Sequence, residues 1–553
     1  MAREMRLKII KAPRFKGDAD FLPPSAISHI YSFLKDKGFD ISQEDLNAKN
    51  SPCDKRKIFG STYKKRLVSI FSKGFSGYLE TGRNSHYEHI AAQYLPDEAL
   101  ASTDILLISI CYSDFCSSMA ALLIARYFKS RDPYKTVIMG GESLEKSYVY
   151  EKFETYAALG IVDYYILGPG EESLWMLLRK LKGDKVSLKS LPGLCYRQDG
   201  KIFKNEPVRK ARLVIPDFTG LNLADYTWDG SAFFGKISPK VFPWRNILVL
   251  PFRMIDGCPH RCAFCASPDL SQKKISCIEP QEAVRILRRL SDAYKTPYFM
   301  FLHDTFNFSN DFISSFCDEI FKADLKIFWS DSLSLKAAHS RDLLLKMYDA
   351  GARRLFFGLE TASPAQQAYT GKNVDLAGAA RVLKWSHETG VWTGIQIIVG
   401  FPNERGDDIK HTLDFIAANA ASLDVVKLQK FYLRHYTYME RYPRKYGITN
   451  VREYGSLSHL VARHRGQNRY CFDEIGGLEW SQKEKQIEQA YRLLDSTITG
   501  LKLKSYRPKD ELNVLFYLYS CLKEKPKIKA VFDLYQSRLK KTNKLLVDVP
   551  DLE

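Results

Sequence analysis

Met254-Ile255-Asp256-Gly257-Cys258-Pro259-His260-Arg261-Cys262-Ala263-Phe264-Cys265 decides how the rest of the chain is read. Three thiols at C-x-x-x-C-x-x-C spacing fit on one short loop, and Gly257 and Pro259 supply its turns, so Cys258, Cys262 and Cys265 can face a single metal centre. Iron–sulfur clusters are held by Cys thiolates. Three ligands leave one iron of a four-iron cluster without a protein partner, and an open position is what separates a catalytic metal site from a closed structural one. A structural zinc site wants four ligands; His260 could complete a Cys3His set, although its place inside the loop leaves little slack. A disulfide would leave one thiol over, in a chain with no secretory features.

The spacing, with Phe264 just ahead of the last Cys, resembles the signature of the radical S-adenosylmethionine (SAM) superfamily. That resemblance implies a 4Fe-4S cluster on Cys258, Cys262 and Cys265, with SAM chelated at the open iron through its amino and carboxylate groups.

The chain has 553 residues, enough for roughly three to four domains of ~150 residues each. Apolar residues at 45% and charged residues at 26% are globular averages. No apolar run reaches the length of a membrane span, and Met1 to Ile10 is too charged for a signal peptide. Eleven Cys, only three of them clustered, fit reduced thiols, so a cytoplasmic location is expected. Net charge is +18, from 82 Lys and Arg against 64 Asp and Glu. The basic residues are spread along the chain apart from short runs at 502–509, 523–529 and 538–544, so direct nucleic-acid binding is not expected.

Upstream of the cysteines the pattern alternates strand and helix. Residues 7–10 read as a strand and Ser25 to Lys37 as a helix ending before Gly38. Residues 50–100 are polar and aromatic-rich, with the texture of an insertion. Asp104 to Ile110 is a continuous apolar run of the kind buried in a parallel sheet, Ser117 to Lys129 is helical, and strands follow at 136–141 and 162–167. This rhythm predicts a doubly wound Rossmann or flavodoxin-like α/β domain over residues 1–200, whose ligands sit at the carboxyl ends of strands. Gly140-Gly141-Glu142 and Gly168-Pro169-Gly170-Glu171 lie at such ends. Placed ahead of the cysteine loop, they resemble the cobalamin-binding domain of cobalamin-dependent radical SAM enzymes. The resemblance implies that Gly140, Gly141, Glu142, Gly168, Gly170 and Glu171 contact cobalamin, and that Ser113 and Ser117 face the corrin. No Asp-x-His-x-x-Gly occurs in this half, so no His is offered as a lower axial ligand.

Residues 201–245, with four prolines among charged and aromatic residues, read as a linker. From Asn246 to 445 strands at 246–250, 298–302, 326–329, 354–357, 394–399 and 425–428 alternate with helices, which resembles the partial (β/α)6 barrel of the superfamily. Barrel enzymes keep their chemistry at the carboxyl ends of strands. There the resemblance points to Asp304 for the amino group of SAM, with Ser332, Glu360 at the ribose, and Gln396 as SAM contacts, and Gly400 in the glycine-rich edge 399–404 against adenine. An Asp or Ser in these places also serves as an ordinary helix cap. His303 and His435 read as proton donors, substrate contacts or structural residues.

Residues 446–553 are amphipathic and mainly helical, and predict a cap over the barrel mouth that takes part in substrate binding. Together these features imply a radical SAM enzyme of the cobalamin-binding branch that cleaves SAM to a 5′-deoxyadenosyl radical. The resemblance makes it a methyltransferase acting on an unactivated carbon of a peptide or small molecule and fed by an external flavodoxin- or ferredoxin-type electron donor. Cyclisation, epimerisation or carbon–carbon bond formation without methyl transfer is the alternative within the enzyme class. A basic RNA-binding protein with a structural metal loop is the alternative outside it.

Overall fold

The computed structural model describes residues 5–13, 21–48, 74–110, 115–141, 144, 148–208, 213–235, 238, 240–267, 275–335, 339–434, 437–453, 470–503 and 510–540. Two compact units emerge: Met1–Asp225 makes up most of one, and Tyr226–Arg452 with Tyr470–Glu553 forms the other.

In the first unit a seven-stranded sheet runs in the order β2-β1-β3-β4-β5-β6-β7. Its strands are β1 (Arg6–Lys11), β2 (Asp40–Asp45), β3 (Ile105–Ser109), β4 (Thr136–Gly140), β5 (Tyr164–Ile166), β6 (Leu194–Gln198) and β7 (Lys201–Lys204). The first five are parallel; β6 and β7 add an antiparallel hairpin at one edge. Order 2-1-3-4-5 is the flavodoxin arrangement, whose ligands lie where the chain reverses direction between β1 and β3. The period-2 geometry of β3 explains its unbroken apolar run. Ile105 and Leu107 face one core, with helices Ser25–Leu34 and Glu171–Leu181, while Leu106 and Ile108 face the other, with helix Phe115–Arg131.

The helix expected over Ser25 to Lys37 stops at Leu34, and Gly38 (φ +73°) lies in the turn beyond it. Of the stretch read as an insertion, the part from residue 74 folds into helices Phe75–Thr81, Ser85–Tyr94 and Asp97–Ala101, whose buried Tyr78, Tyr87 and Tyr94 join the core. Within 201–245, β7 belongs to the first sheet and β8 (Thr227–Asp229) pairs antiparallel with the second.

The second unit is built on β9 (Asn246–Phe252), β12 (Tyr298–Phe301), β13 (Phe328–Ser334), β14 (Ala352–Glu360), β15 (Trp392–Val399) and β16 (Val425–Lys430), with the small β10 (Ile255–Asp256) and β11 (Ser276–Cys277) between the first two. The six long strands are parallel and lie side by side in chain order, with β8 on the outer edge of β9. This is a half-barrel sheet. Helices pack on its outside: Pro280–Tyr294 starts on Pro280 at its first turn, buries Ala283, Ile286, Leu287 and Leu290 along one face, and ends on Lys295 in the left-handed region. Burying each of Ile286, Leu287 and Leu290 contributes about 1.5–3 kcal/mol.

The C-terminal region divides between the two ends of this half-barrel. Helix Trp480–Gly500 lies by the carboxyl end of β15, where Lys483 donates to the Phe401 carbonyl (2.7 Å). Helices Glu511–Cys521 and Lys525–Lys540, expected as part of a cap on the mouth, sit instead under the amino ends of the strands. Asn513 donates to Ile247 O (3.2 Å), Tyr517 to Pro243 O (2.9 Å), Tyr519 to Gly390 O (2.7 Å) and Lys525 to Val391 O (2.6 Å). The reason is burial. Leu512 through Tyr519 are apolar almost all round and enclosed on every side, which suits a helix plugging the bottom of a barrel rather than one sliding over an open mouth.

Candidate active site

Strand β9 carries the chain to the cysteines at the carboxyl end of the half-barrel. β10 pairs antiparallel with β11, and Ile278 just beyond β11 donates to Met254 O (2.9 Å), so the chain before the first cysteine is held along one side by this short ladder. Gly257 turns at φ +95°, a conformation that a side chain would strain. Cys258 and Cys262 are buried and Cys265 half-buried. The loop closes on itself through Cys265 N to Cys262 O (3.1 Å) and is docked on both sides of Ala263: its N–H donates to Thr370 O (2.8 Å), and its carbonyl accepts from Met439 N (3.1 Å). Phe264 packs on Phe401, ring centroids 5.3 Å apart, which ties the loop to the end of β15.

Burial pushes the Cys258 thiol up to about 11, partly offset by a hydrogen bond from the His260 backbone, with Cys265, Asp304 and Cys262 adding to the rise. Burial also raises Cys265, and Cys262 and Asp304 act in the same direction. Burial and neighbouring charges hold Cys258 and Cys265 toward the neutral thiol, and a bound metal would supply the positive charge that turns them into thiolates. Among the described residues no three His, Cys, Asp or Glu side chains converge as a site for one metal ion would require. Cys258, Cys262 and Cys265 form an all-thiol donor set on one loop, and thiolates are the ligands that hold iron–sulfur clusters.

Around the loop, Asp304 accepts from Ser267 Oγ (2.9 Å) and lies 3.7 Å from the Arg253 guanidinium, which also pairs with Asp256. Its carboxylate is partly exposed, three residues beyond the end of β12 at Phe301, and near enough to Cys258 and Cys265 to raise both thiols. Glu360 sits at the end of β14, in the left-handed region (φ +69°) where the register with β15 slips. Its Oε1 lies 3.4 Å from Nζ of Lys372, a residue that sequence reasoning missed. Burial alone would lower the Lys372 pKa, but Glu360, Cys262 and Cys265 raise it above its ordinary value, so the ammonium stays charged beside the thiols.

The other residues singled out in the sequence lie on or just beyond the same strands. His303 is wholly buried: Nε2 accepts from the Met254 backbone (3.1 Å) and Nδ1 faces Asp331 Oδ2 (2.6 Å), so both ring nitrogens are engaged inside the fold. Ser332 lies on β13 with its N–H donated to Asp331 (2.7 Å). Gln396 lies within β15, opposite Gly358 and Lys427. The Gly400 N–H, read as part of a backbone edge for adenine, is instead given to Glu404 Oε2 (2.6 Å), because the turn after β15 folds back on itself. Burial pushes Glu404 up to about 7.

In the first unit Gly140, Gly141, Gly168 and Gly170 lie at the carboxyl ends of β4 and β5. Gly141 (φ +116°) passes so close to β3 that a Cβ would stand 2.7 Å from Ile110 O, and one on Gly168 would stand 3.0 Å from Val208 O. Gly141 and Gly168 are therefore required by the chain's own packing. Ser117, expected to face the corrin, is fully buried, and its hydroxyl donates to Pro13 O (3.3 Å). Glu171 opens the helix after β5. Ser113, Glu142 and His435 lie outside the described residues.

The sequence profile of the radical SAM superfamily matches residues 252–416, the span from the end of β9 through the helix after β15. This chain carries a radical SAM domain. An uncharacterized methyltransferase of Pyrococcus horikoshii is 24% identical over 379 residues, covering 67% of this chain and 74% of the relative. The anaerobic magnesium-protoporphyrin IX monomethyl ester cyclase of Cereibacter sphaeroides is 21% identical over 259 residues, 45% of this chain and 40% of that one. Beyond the radical SAM domain, the fold as a whole is similar to that of the radical SAM methyltransferase TsrM of Kitasatospora setae, solved with cobalamin and a 4Fe-4S cluster bound: TM-score 0.58, 14% identity, 96% of this chain and 100% of that one. It is also similar to the cobalamin-dependent SAM radical enzyme OxsB, solved with aqua-cobalamin and SAM: TM-score 0.55, 14% identity, 97% of this chain and 71% of that one.

Proposed function

We propose that this radical SAM enzyme is a cobalamin-dependent methyltransferase acting on an unactivated carbon of a peptide or small molecule. The observation that carries the reading is the all-thiol loop of Cys258, Cys262 and Cys265 at the carboxyl end of β9, inside the span that matches the superfamily. A four-iron cluster there would supply the electron that cleaves SAM and yields the 5′-deoxyadenosyl radical. Cobalamin at the carboxyl edge of the first sheet would supply the methyl group; the flavodoxin strand order and the fold shared with TsrM and OxsB support it.

The chain's own residues prepare the ground. The three cysteines hold the metal centre, and the hydrogen bonds on either side of Ala263 fix the loop that presents them. Asp304, partly exposed, offers an anion to the ammonium of SAM. Glu360 stands at the end of β14 for the ribose hydroxyls, oriented by Lys372. Phe264 packs on Phe401 and anchors the loop to the turn after β15. An external electron donor of the ferredoxin or flavodoxin type completes the scheme.

The likeness to the magnesium-protoporphyrin cyclase favours a second reading, radical cyclisation without methyl transfer. The experiment that separates them is product analysis with SAM labelled in its methyl group. Methyl transfer predicts label in the product and a mass gain of one methylene. 5′-Deoxyadenosine with no gain in product mass would refute it.

A further inference from the structure

Lys372 is a buried ammonium delivered to one place by several independent devices. The short helix Pro364–Thr370 ends on Gly371 (φ +67°), and Thr370 takes the Ala263 N–H within the cysteine loop, so the turn bearing Lys372 is docked directly onto that loop. A Cβ on Gly371 would stand 3.3 Å from the Arg261 carbonyl. Behind the ammonium, Gly358 leaves the room it needs: a Cβ there would stand 2.7 Å from Glu360 Oε1 and 2.9 Å from Lys372 Nζ. Both side chains of the pair are about nine-tenths buried, at 9% and 10% exposure.

Taking a lysine out of water costs several kcal/mol, and one carboxylate at 3.4 Å offsets it only in part. The strained backbone at Glu360 adds to the cost. The ammonium also acts on the thiols of Cys262 and Cys265, in surroundings that screen charge weakly. Reduction of a cluster adds one negative charge, and cluster potentials follow the net charge and exposure around them.

We infer that Lys372 is the resident counter-cation of the cysteine-held cluster, and that with Glu360 it sets the potential at which that cluster accepts its electron. The inference rests on the reading of Cys258, Cys262 and Cys265 as cluster ligands. Lys372 is a positioning charge that makes the first reduction easier; Glu360 holds it in place and tempers its effect.

The test is an anaerobic redox titration of the reconstituted full chain with titanium(III) citrate, without SAM, followed by electron paramagnetic resonance of the reduced cluster. In Lys372→Met the reduced-to-oxidised ratio at a given potential falls at least tenfold, a shift of about 59 mV to lower potential for a one-electron couple. Lys372→Arg, which keeps the charge, stays near wild type. Glu360→Gln, which removes the anion beside the ammonium, shifts the potential the opposite way. A Lys372→Met protein with full iron content and the wild-type potential overturns the inference. Should Lys372→Met take up no iron, Glu360→Gln decides alone, and an unchanged or lower potential overturns it. A wild-type chain that binds no iron sinks the functional reading itself; iron bound at a potential indifferent to these two residues sinks only the inference.

Discussion

The backbone N–H of Met254, four residues ahead of the first cysteine, donates to Nε2 of His303 at 3.1 Å. This fixes the ring's tautomer and turns Nδ1–H toward Asp331, 2.6 Å away on β13. One buried imidazole thus joins the start of the cysteine loop to two neighbouring strands. Removing it in His303→Ala takes the partner from Oδ2 of the buried Asp331, leaving Oδ1 on the Ser332 N–H, and leaves the Met254 backbone donor unmatched. The loss of stability is about 3 kcal/mol in urea denaturation of the apoprotein. The variant also takes up iron poorly; wild-type stability and full iron would contradict this role.

Glu404 makes stability depend on pH. An unfolded glutamate releases its proton near 4.5, whereas burial holds the folded Glu404 at about 7. Between those values the folded state keeps a proton that the unfolded state has lost, so stability falls as pH rises from 4.5 to 7 and is then constant. The fall attributable to this group is about 3 kcal/mol. Glu404→Gln keeps the acceptor for Gly400 N–H and should be the more stable protein at pH 8 while matching wild type near pH 4.5. Parallel stability curves for the two proteins over this range would refute the assignment.

Gly141 tests whether the first unit's glycine turns serve the fold. A Cβ at φ +116° meets the Ile110 backbone at 2.7 Å, with no flexible side chain to give way. Gly141→Ala therefore costs at least about 2 kcal/mol in the unfolding of this unit. If thermal unfolding of the variant matches wild type, the close approach to β3 is not what the glycine is for.

The cysteine loop and the alternation of strands and helices were legible in the sequence because both are local: spacing places three thiols on one loop, and apolar runs flanked by helical periods mark parallel strands. What lay hidden is non-local. β2, Asp-Ile-Ser-Gln-Glu-Asp, is a polar edge strand with no apolar alternation to announce it. Lys372 reads as an ordinary lysine after a glycine, and only the docking of Thr370 on Ala263 brings it to the thiols. Glycine turns are common to ligand edges and to tight packing, so Gly141 and Gly400 could not be sorted without their neighbours Ile110 and Glu404. Helix 511–521 gives an apolar pattern but no direction, and only the hydrogen bonds to Ile247 and Pro243 place it beneath the sheet.

The central claim is tested most directly by iron and sulfide analysis of the anaerobically reconstituted chain, coupled to assay of 5′-deoxyadenosine under reduction with SAM present. The account predicts about four irons and four sulfides per chain, SAM cleavage in wild type, and none in Cys262→Ala. Zinc in place of iron, or full SAM cleavage by Cys262→Ala, would contradict it.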